Sequence, residues 1–561
     1  MSCPMVSTPS SEIPRQLRVP RTDFSLLVEP EWKNLPDLLE ANQKSLAGGT
    51  LTFLGKPETQ LRAEARDSLI NSARQYLESV RIPTEAAAGS GPLFMGGHQP
   101  TLFHPGVWVK NFASAELASL TGGTAVNLVI DNDLAESNAF TYPDEVDGHL
   151  KTGKITCGST LVPQPWEDLP LPDQKQLDTF SHELTATLEM WNVTPMLSSI
   201  WDKAIENSSA GLSQLFTSAR ILMEREMGVQ NLELPISWLS TDKSFLWFAL
   251  HLLVHIEEFR NVYNQQLAEY RQRNKIRNQQ HPVPDLEVNG EWQEAPFWIW
   301  RTGATQRNHV WIKFVDDQII LSDGETELAT IPHPDQSGPE AAIEALAELA
   351  NDDLRFRPRA LTTTLYARLL LCDLFVHGIG GAKYDEVTDD LLREFYHHKP
   401  PVYMALSGTI WFPIRRNIDV TAEEIDCLND KIRDLKYHPA DHLSTSQQAS
   451  ARELLSEREH LLEAQNEYKN LSKDEKKAAT SDNRQRFQRL KEIASELTSL
   501  VEPEQQRLQE ELKRLEALWA ERQVQINREY PALFYPQEKL TAFVEQLRGD
   551  IRGGFSSVDP A

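Results

Sequence analysis

The chain has 561 residues, 40% of them apolar and 25% charged, with a formal charge of −26 from 56 Lys and Arg against 82 Asp and Glu. At roughly 100–200 residues per domain this length makes about three or four units, and the composition allows a packed core. So negative a surface repels phosphate backbones and anionic lipid, which argues against non-specific nucleic-acid or membrane partners but leaves room for a small anion in a local basic pocket.

The start, MSCPMVSTPSSEIPRQL, has no apolar signal core, and residues 1–20 read as a loose arm. A polar helix follows around Pro57 to Val80, and Glu85 to Pro92 reads as a linker. LFMGG is then a short apolar run ended by glycines, a buried strand. Pro105 opens a helix with Val107, Trp108, Phe112 and Ala115 on one face, and Gly122-Gly123 stop it. AVNLVIDND is a second apolar run, so the region is a βαβ unit with parallel strands. Its polar clusters, Gly96-Gly97-His98-Gln99 and Asp131-Asn132-Asp133, fall at the C-terminal ends of those strands, where open α/β sheets bind ligands.

Helical periodicity dominates from Leu212 to Arg273. Within it Ser244 to Phe259, the longest apolar run, is too short for a membrane span and carries two histidines, so it reads as a buried helix. The expected compartment is the cytoplasm. Ala295 to Gly303 reads as core of a small domain, and His309 to Ile331 as an antiparallel meander turning at Asp316-Asp317 and Asp323-Gly324. From Arg357 to Phe412 the α/β pattern returns, with an apolar segment Leu374–Val376, a Gly-rich turn, a helix and a final strand in VYMALSGTIWF. After Pro413, Ile425, Leu428, Ile432 and Leu435, then Leu454, Leu461 and Leu471, step by threes and fours. A charged tip, Ser472 to Gln485, separates them from Leu490, Ile493, Leu497, Leu500, Leu512, Leu515, Trp519 and Ile526. Two such arms make an antiparallel coiled-coil hairpin, kinked at His438-Pro439, whose spare apolar surface predicts a homodimer. The tail from Pro531 is expected to return to the body.

Four stretches carry candidate chemistry. In Gly96 to Gly106 the glycines allow close approach, His98 and His104 can contact phosphate, Gln99 adds a polar group, and the following helix N-terminus supplies N–H donors; the competing reading is a tight βα turn capped by its histidines. It is not a Walker loop, lacking G-x-x-x-x-G-K-[ST]. In Asp131 to Ser137, Asp131, Asn132 and Asp133 can position an amine or ribose hydroxyl, hold Mg²⁺ or act as base, or they merely cap a helix. In His377 to Val387, Gly380 and Gly381 free the backbone, Lys383 can neutralise phosphate, and Tyr384 and Asp385 can orient a substrate; a plain strand-to-helix connection is the alternative. Arg355, Arg357, Arg359 and Arg368 form a basic cluster suited to a carboxylate or phosphate, or to neighbouring acids. Cys3, Cys157, Cys372 and Cys427 form no Cys-x-x-Cys pair, so neither a thiolate zinc site nor a disulfide framework is indicated.

GHQPTLFHPGVWVKNFASAELA, LVIDNDLAESN and RPRALTTTLYARLLLCDLFVHGIGGAKYDEV together resemble the bacillithiol biosynthesis cysteine-adding enzyme family. That family's first motif has Gly-Gln-Gln before a helix containing a lysine, here Lys110; its second strand ends in acids; its coiled coil follows the Gly-rich turn. The chain differs at His98, where a Gln is usual, and in having Asp131-Asn132-Asp133 for the family's acid cluster. The resemblance implies an α/β chain with a Rossmann-like core in two parts, 1–200 and 351–419. It implies connective helical and small β insertions at 201–350, a coiled coil at 420–530 and a tail at 531–561. It also implies nucleotide binding, dimers through the coiled coil, and addition of cysteine to the amine of glucosaminyl-malate. On this reading Asp131, Asp133 and His98 are catalytic, with Asp133 orienting or deprotonating the amine. Gly96, Gly97, Gln99, His104, Lys110, Asn132, Gly380, Gly381, Lys383, Tyr384 and Asp385 bind substrate or nucleotide. ATP or ADP and Mg²⁺ are the cofactors compatible with it, and an amine and an amino acid are the small-molecule partners. The alternative is a coiled-coil interaction protein with a degenerate nucleotide-binding domain, which has no reason to bind ATP.

Overall fold

A computed structural model describes residues 17–84 and 89–556. Most of the N-terminal arm, the middle of the linker at 85–88 and the last five residues of the tail lie outside the described residues. The chain forms two compact units. One takes Met1–Asp144, Thr152–Pro413 and Asn527–Ala561, and the other takes Glu145–Lys151 and Ile414–Ile526.

The first unit is organised by a six-stranded sheet: β1 (Ser25–Glu29), β2 (Leu93–His98), β3 (Thr124–Val129), β4 (Leu232–Pro235), β5 (Leu374–His377) and β6 (Met404–Thr409), in the order β1-β6-β5-β2-β3-β4. All neighbours are parallel except β1, which runs antiparallel to β6 at the edge. β3 and β6 are buried along their whole length, as strands covered on both faces must be. The chain works outward from β2 through β3 to β4, then returns to the other side of β2 with β5 and β6. The strand order therefore reverses between β2 and β5, and the crevice beyond their C-terminal ends is where such a sheet receives ligands.

Helix α1 (Glu58–Ser79) carries Arg62 and Arg66 to Asp373, which immediately precedes β5. Asp373 also accepts a hydrogen bond from the Leu93 N–H at the start of β2, so one buried carboxylate ties α1 to two central strands. Helix α2 (Pro105–Thr121) joins β2 to β3; His104 caps its start and Gly122, at φ 64°, closes its end in the left-handed region. The βαβ unit has the expected bounds and parallel pairing.

Several strands depart from the sequence reading. Leu232–Pro235 lies inside the stretch read as helical and completes the central sheet, so the segment 201–350 is not purely connective. Ser25–Glu29 adds the antiparallel edge. Leu354–Pro358, assigned to the second part of the core, instead pairs with Trp292–Arg301 in a second, antiparallel sheet. That sheet contains the anticipated meander of Asn308–Val315, Gln318–Ser322 and Glu327–Pro332.

In the second unit the first arm is broken, not merely kinked: Ala422–Tyr437 is followed by a 3₁₀ turn Pro439–His442, then Thr445–Ser450 and Arg452–Asn470. The return is one 46-residue helix, Thr480–Gln525, about 70 Å long at 1.5 Å per residue. Gln447 bonds to Leu500, Glu457 to Arg489 and Ala464 to Arg486, so the helices run antiparallel. Leu428, Leu435, Ile493, Leu497, Val501 and Leu508 are buried between them, whereas no residue of Arg452–Asn470 is. After Ile526 the tail rejoins the first unit, where Gln537–Ser556 forms a helix. Among the described residues no helix is long and apolar enough to cross a membrane.

Candidate functional site

A cavity of about 220 Å³ opens beyond the C-terminal ends of β2, β3 and β5. Side chains alternate along a strand, and the lining follows that period: Leu128 and Ile130 from β3 and the residue after it, Phe375 and His377 from β5, with Gly97 of β2 between them. The opposite wall comes from Tyr263, from Trp298 and Arg307 of the second sheet and its loops, and from Arg359 and Thr363 just after that sheet's last strand.

Asp133 and Asn132 line the cavity. Asp133 accepts from Gln99 Nε2, from its neighbour's Leu134 N–H and from Arg307 Nη2 at 2.9 Å. Arg307 also donates to the Asn132 carbonyl at 2.8 Å. The strand-end clusters after β2 and β3 thus meet through Gln99 and Asp133. Arg307 and Arg359 both pack on Trp298, 4.6 Å and 4.7 Å from its ring centre. Arg359 donates to Glu294 and to the Phe297 carbonyl, while its buried Nη1, the Arg307 Nε and the Asn132 Oδ1 have no hydrogen-bond partner. Burial lowers the Arg307 pKa, opposed by Asp133 and assisted by the neighbouring Arg359.

The third motif contributes a relay. His377, the last residue of β5, meets Asp385 through Nε2 at 2.9 Å, and Asp385 accepts from Arg368 Nη1 at 2.7 Å. Burial alone would raise the Asp385 pKa, but Arg368 and His377 outweigh it and hold the carboxyl below its usual range. Tyr384 lines the cavity, its hydroxyl pushed up to about 12 by burial and by the nearby carboxylates of Asp385 and Asp133. Gly381 lies against the His377 ring. Gly380 and Lys383 are exposed and do not line the cavity.

The first motif does not form the phosphate cradle expected of it. Gly96 and Gly97 are rungs of β2, paired with Asn127 and Leu128, rather than a turn. His98 alternates to the other side, packs on Phe103 and lines a separate recess of about 20 Å³, too small for a ligand. Burial, with Lys110 nearby, lowers its pKa to about 3. His104 is likewise lowered to about 3 by burial and by Arg528, and its Nδ1 accepts the Gly106 N–H. The next two helix N–H groups, of Val107 and Trp108, bond to the His104 carbonyl, and Pro105 has none, so the first-turn donors are spent. A Cβ on Gly106 would lie 1.8 Å from Arg528 and 2.3 Å from the Gly408 carbonyl, so this glycine serves packing. Lys110 binds the Gly97 carbonyl at 2.9 Å, its pKa lowered to about 8 by burial and by Arg220.

Asp131 is also structural. Its carboxylate accepts the Ser237 N–H and hydroxyl, and burial together with the Glu167 carboxylate raises its pKa to about 7. Among the described residues no group of three or more His, Cys, Asp or Glu could hold a metal.

The sequence reading missed Arg307, Trp298 and Tyr263, and it named His377 only as the start of a motif. A histidine closing an apolar strand eight residues before an aspartate, with a Gly-Gly pair between them, was the one available signal for the relay. No protein-family model and no curated protein matches this chain.

Proposed function

We propose that this chain is an enzyme acting on small polar substrates in the cavity beyond β2, β3 and β5, and that its reaction joins an amine to an amino-acid carboxyl, as the resemblance to the cysteine-adding enzymes implies. The observation that carries the reading is the convergence, at the point of strand reversal, of an ion-paired Arg307–Asp133, a second guanidinium at Arg359 and the polar Tyr384 on one cavity. The parallel strand order supports a Rossmann-like core, and the antiparallel helices with their buried leucines support a coiled coil. In this reading Arg359 and Arg307 face a substrate carboxylate, and Asp133 orients the amine. Asp131, His98 and His104 leave the set, and the hairpin joins two copies. The cytoplasm is the proposed compartment.

The test is to incubate the protein with cysteine and glucosaminyl-malate, with and without ATP, ADP and Mg²⁺, and to seek the condensed product by mass spectrometry. Product is expected, falling about 10²- to 10⁴-fold in Asp133→Asn. No product with these or with a panel of other amines and amino acids would sink the enzyme reading.

A further inference from the structure

The imidazole of His377 has the surroundings of a working base. Its Nε2 is committed to Asp385 at 2.9 Å, and Asp385 is itself held by Arg368, which lies wholly within the protein and also bonds to Asp389 and the Pro401 carbonyl. Arg368 packs on Tyr403, and the His377 ring meets the same tyrosine edge-on at 5.1 Å. A carboxylate on one ring nitrogen fixes the tautomer, so the proton sits on Nε2 and the Nδ1 lone pair is left for other work. Gly381 stands on that side. A Cβ there would come 2.7 Å from Nδ1, so only glycine fits against this nitrogen without displacing the ring.

The residue also stands where chemistry is expected: at the end of β5, on the strand reversal, lining the cavity with Tyr384 and Thr364. Simple packing would not call for a buried histidine hydrogen-bonded to a buried aspartate that is itself held by a buried arginine. An apolar side chain would fill the space without the cost of burying so many polar groups.

We propose that His377 is the general base of this cavity, taking through Nδ1 a proton from a substrate N–H or O–H, with Asp385 and Arg368 as the positioning residues behind it. The inference rests on the reading of the cavity as a reaction site. The transfer breaks one substrate N–H or O–H bond, forms Nδ1–H, and leaves an imidazolium whose charge Asp385 balances. The charged groups facing His377 are Asp385, Arg368 and Lys110. Burial lowers its pKa, Asp385 opposes that, and the two cations add to it, so the ring starts neutral, the form a base requires.

Two measurements test this on the full chain. Long-range ¹⁵N–¹H NMR of histidine-labelled protein, assigned by the signal lost in His377→Gln, should show His377 neutral and protonated on Nε2 at pH 7. Asp385→Asn should redistribute the tautomers. A proton on Nδ1, or an imidazolium at pH 7, would overturn the proposal whatever the substrate proves to be. In the condensation assay, His377→Gln should lower kcat by about 10²- to 10⁴-fold with KM nearly unchanged, and Asp385→Asn should move the acidic limb of the pH profile. Turnover that survives His377→Gln would refute the base and leave the enzyme reading standing, whereas absence of turnover in the wild type would refute that reading and leave the NMR result to judge the base.

Discussion

Asp373→Asn should destabilise the first unit by more than any ordinary polar substitution. The carboxylate is 5% exposed and receives Arg62 Nη2 at 2.8 Å, Arg66 Nη1 at 2.9 Å and the Leu93 N–H at 2.7 Å. An asparagine oxygen can keep the backbone bond, but the two guanidiniums then lose the counter-charge they share. Removing one partner of a buried ion pair costs about 3–5 kcal/mol. Arg62 is buried, while the Arg66 side chain is 23% exposed and can be solvated in part, which puts the expectation near the lower end of that range. Urea unfolding followed by tryptophan fluorescence should show a lower midpoint at constant slope. Adding Arg62→Met and Arg66→Met to Asp373→Asn should recover part of the loss, because the orphaned charges go with them. A cost below about 1 kcal/mol, that of an ordinary hydrogen bond, would refute the claim that this carboxylate clamps α1 to the sheet.

Asp131→Asn tests the raised carboxyl: with a folded pKa of about 7 against 3.8 unfolded, the folded state binds more protons between these values, so wild-type stability falls as pH rises through that window. The variant has no such proton, so its stability relative to wild type should improve from pH 4 to pH 8 in urea titrations; parallel profiles would refute the shift. Replacing Ala422–Gln525 by a short turn should convert a dimer to a monomer in light scattering, and a dimer of unchanged stability would remove the hairpin from the interface.

Much of the frame was legible because periodicity is a local signal. LFMGG, the helix from Pro105 and AVNLVIDND gave the βαβ unit, and the leucine steps gave the antiparallel arms. What escaped was pairing at a distance. Leu232–Pro235 has four residues, too few to show a period between two helices, and becomes a strand because β3 offers it an edge. Leu354–Pro358 reads equally well as part of either sheet, and only its register with Trp292–Arg301 decides. The site suffered from the same limit. A dense run of Gly, His and Gln marks a strand end but not which face each residue takes, and alternation sent His98 away from Asp133. Arg307 sits in a polar loop that no pattern distinguishes, yet it holds Asp133 from the far wall.

The helix Gln537–Ser556 gives the order of synthesis a structural meaning. Its Leu540, Phe543, Val544, Leu547 and Ile551 are buried, Phe543 lies edge-on to Phe24, and Arg552 reaches Glu116 of α2. These partners leave the ribosome long before it does. Between Pro413 and Asn527 lies the whole of the hairpin's main segment, Ile414–Ile526, which takes on the order of ten seconds to translate. During that interval the apolar surface around α2 and β1 waits uncovered. A chain synthesised only as far as the hairpin lacks the cover that Phe543 and its apolar neighbours give to this surface.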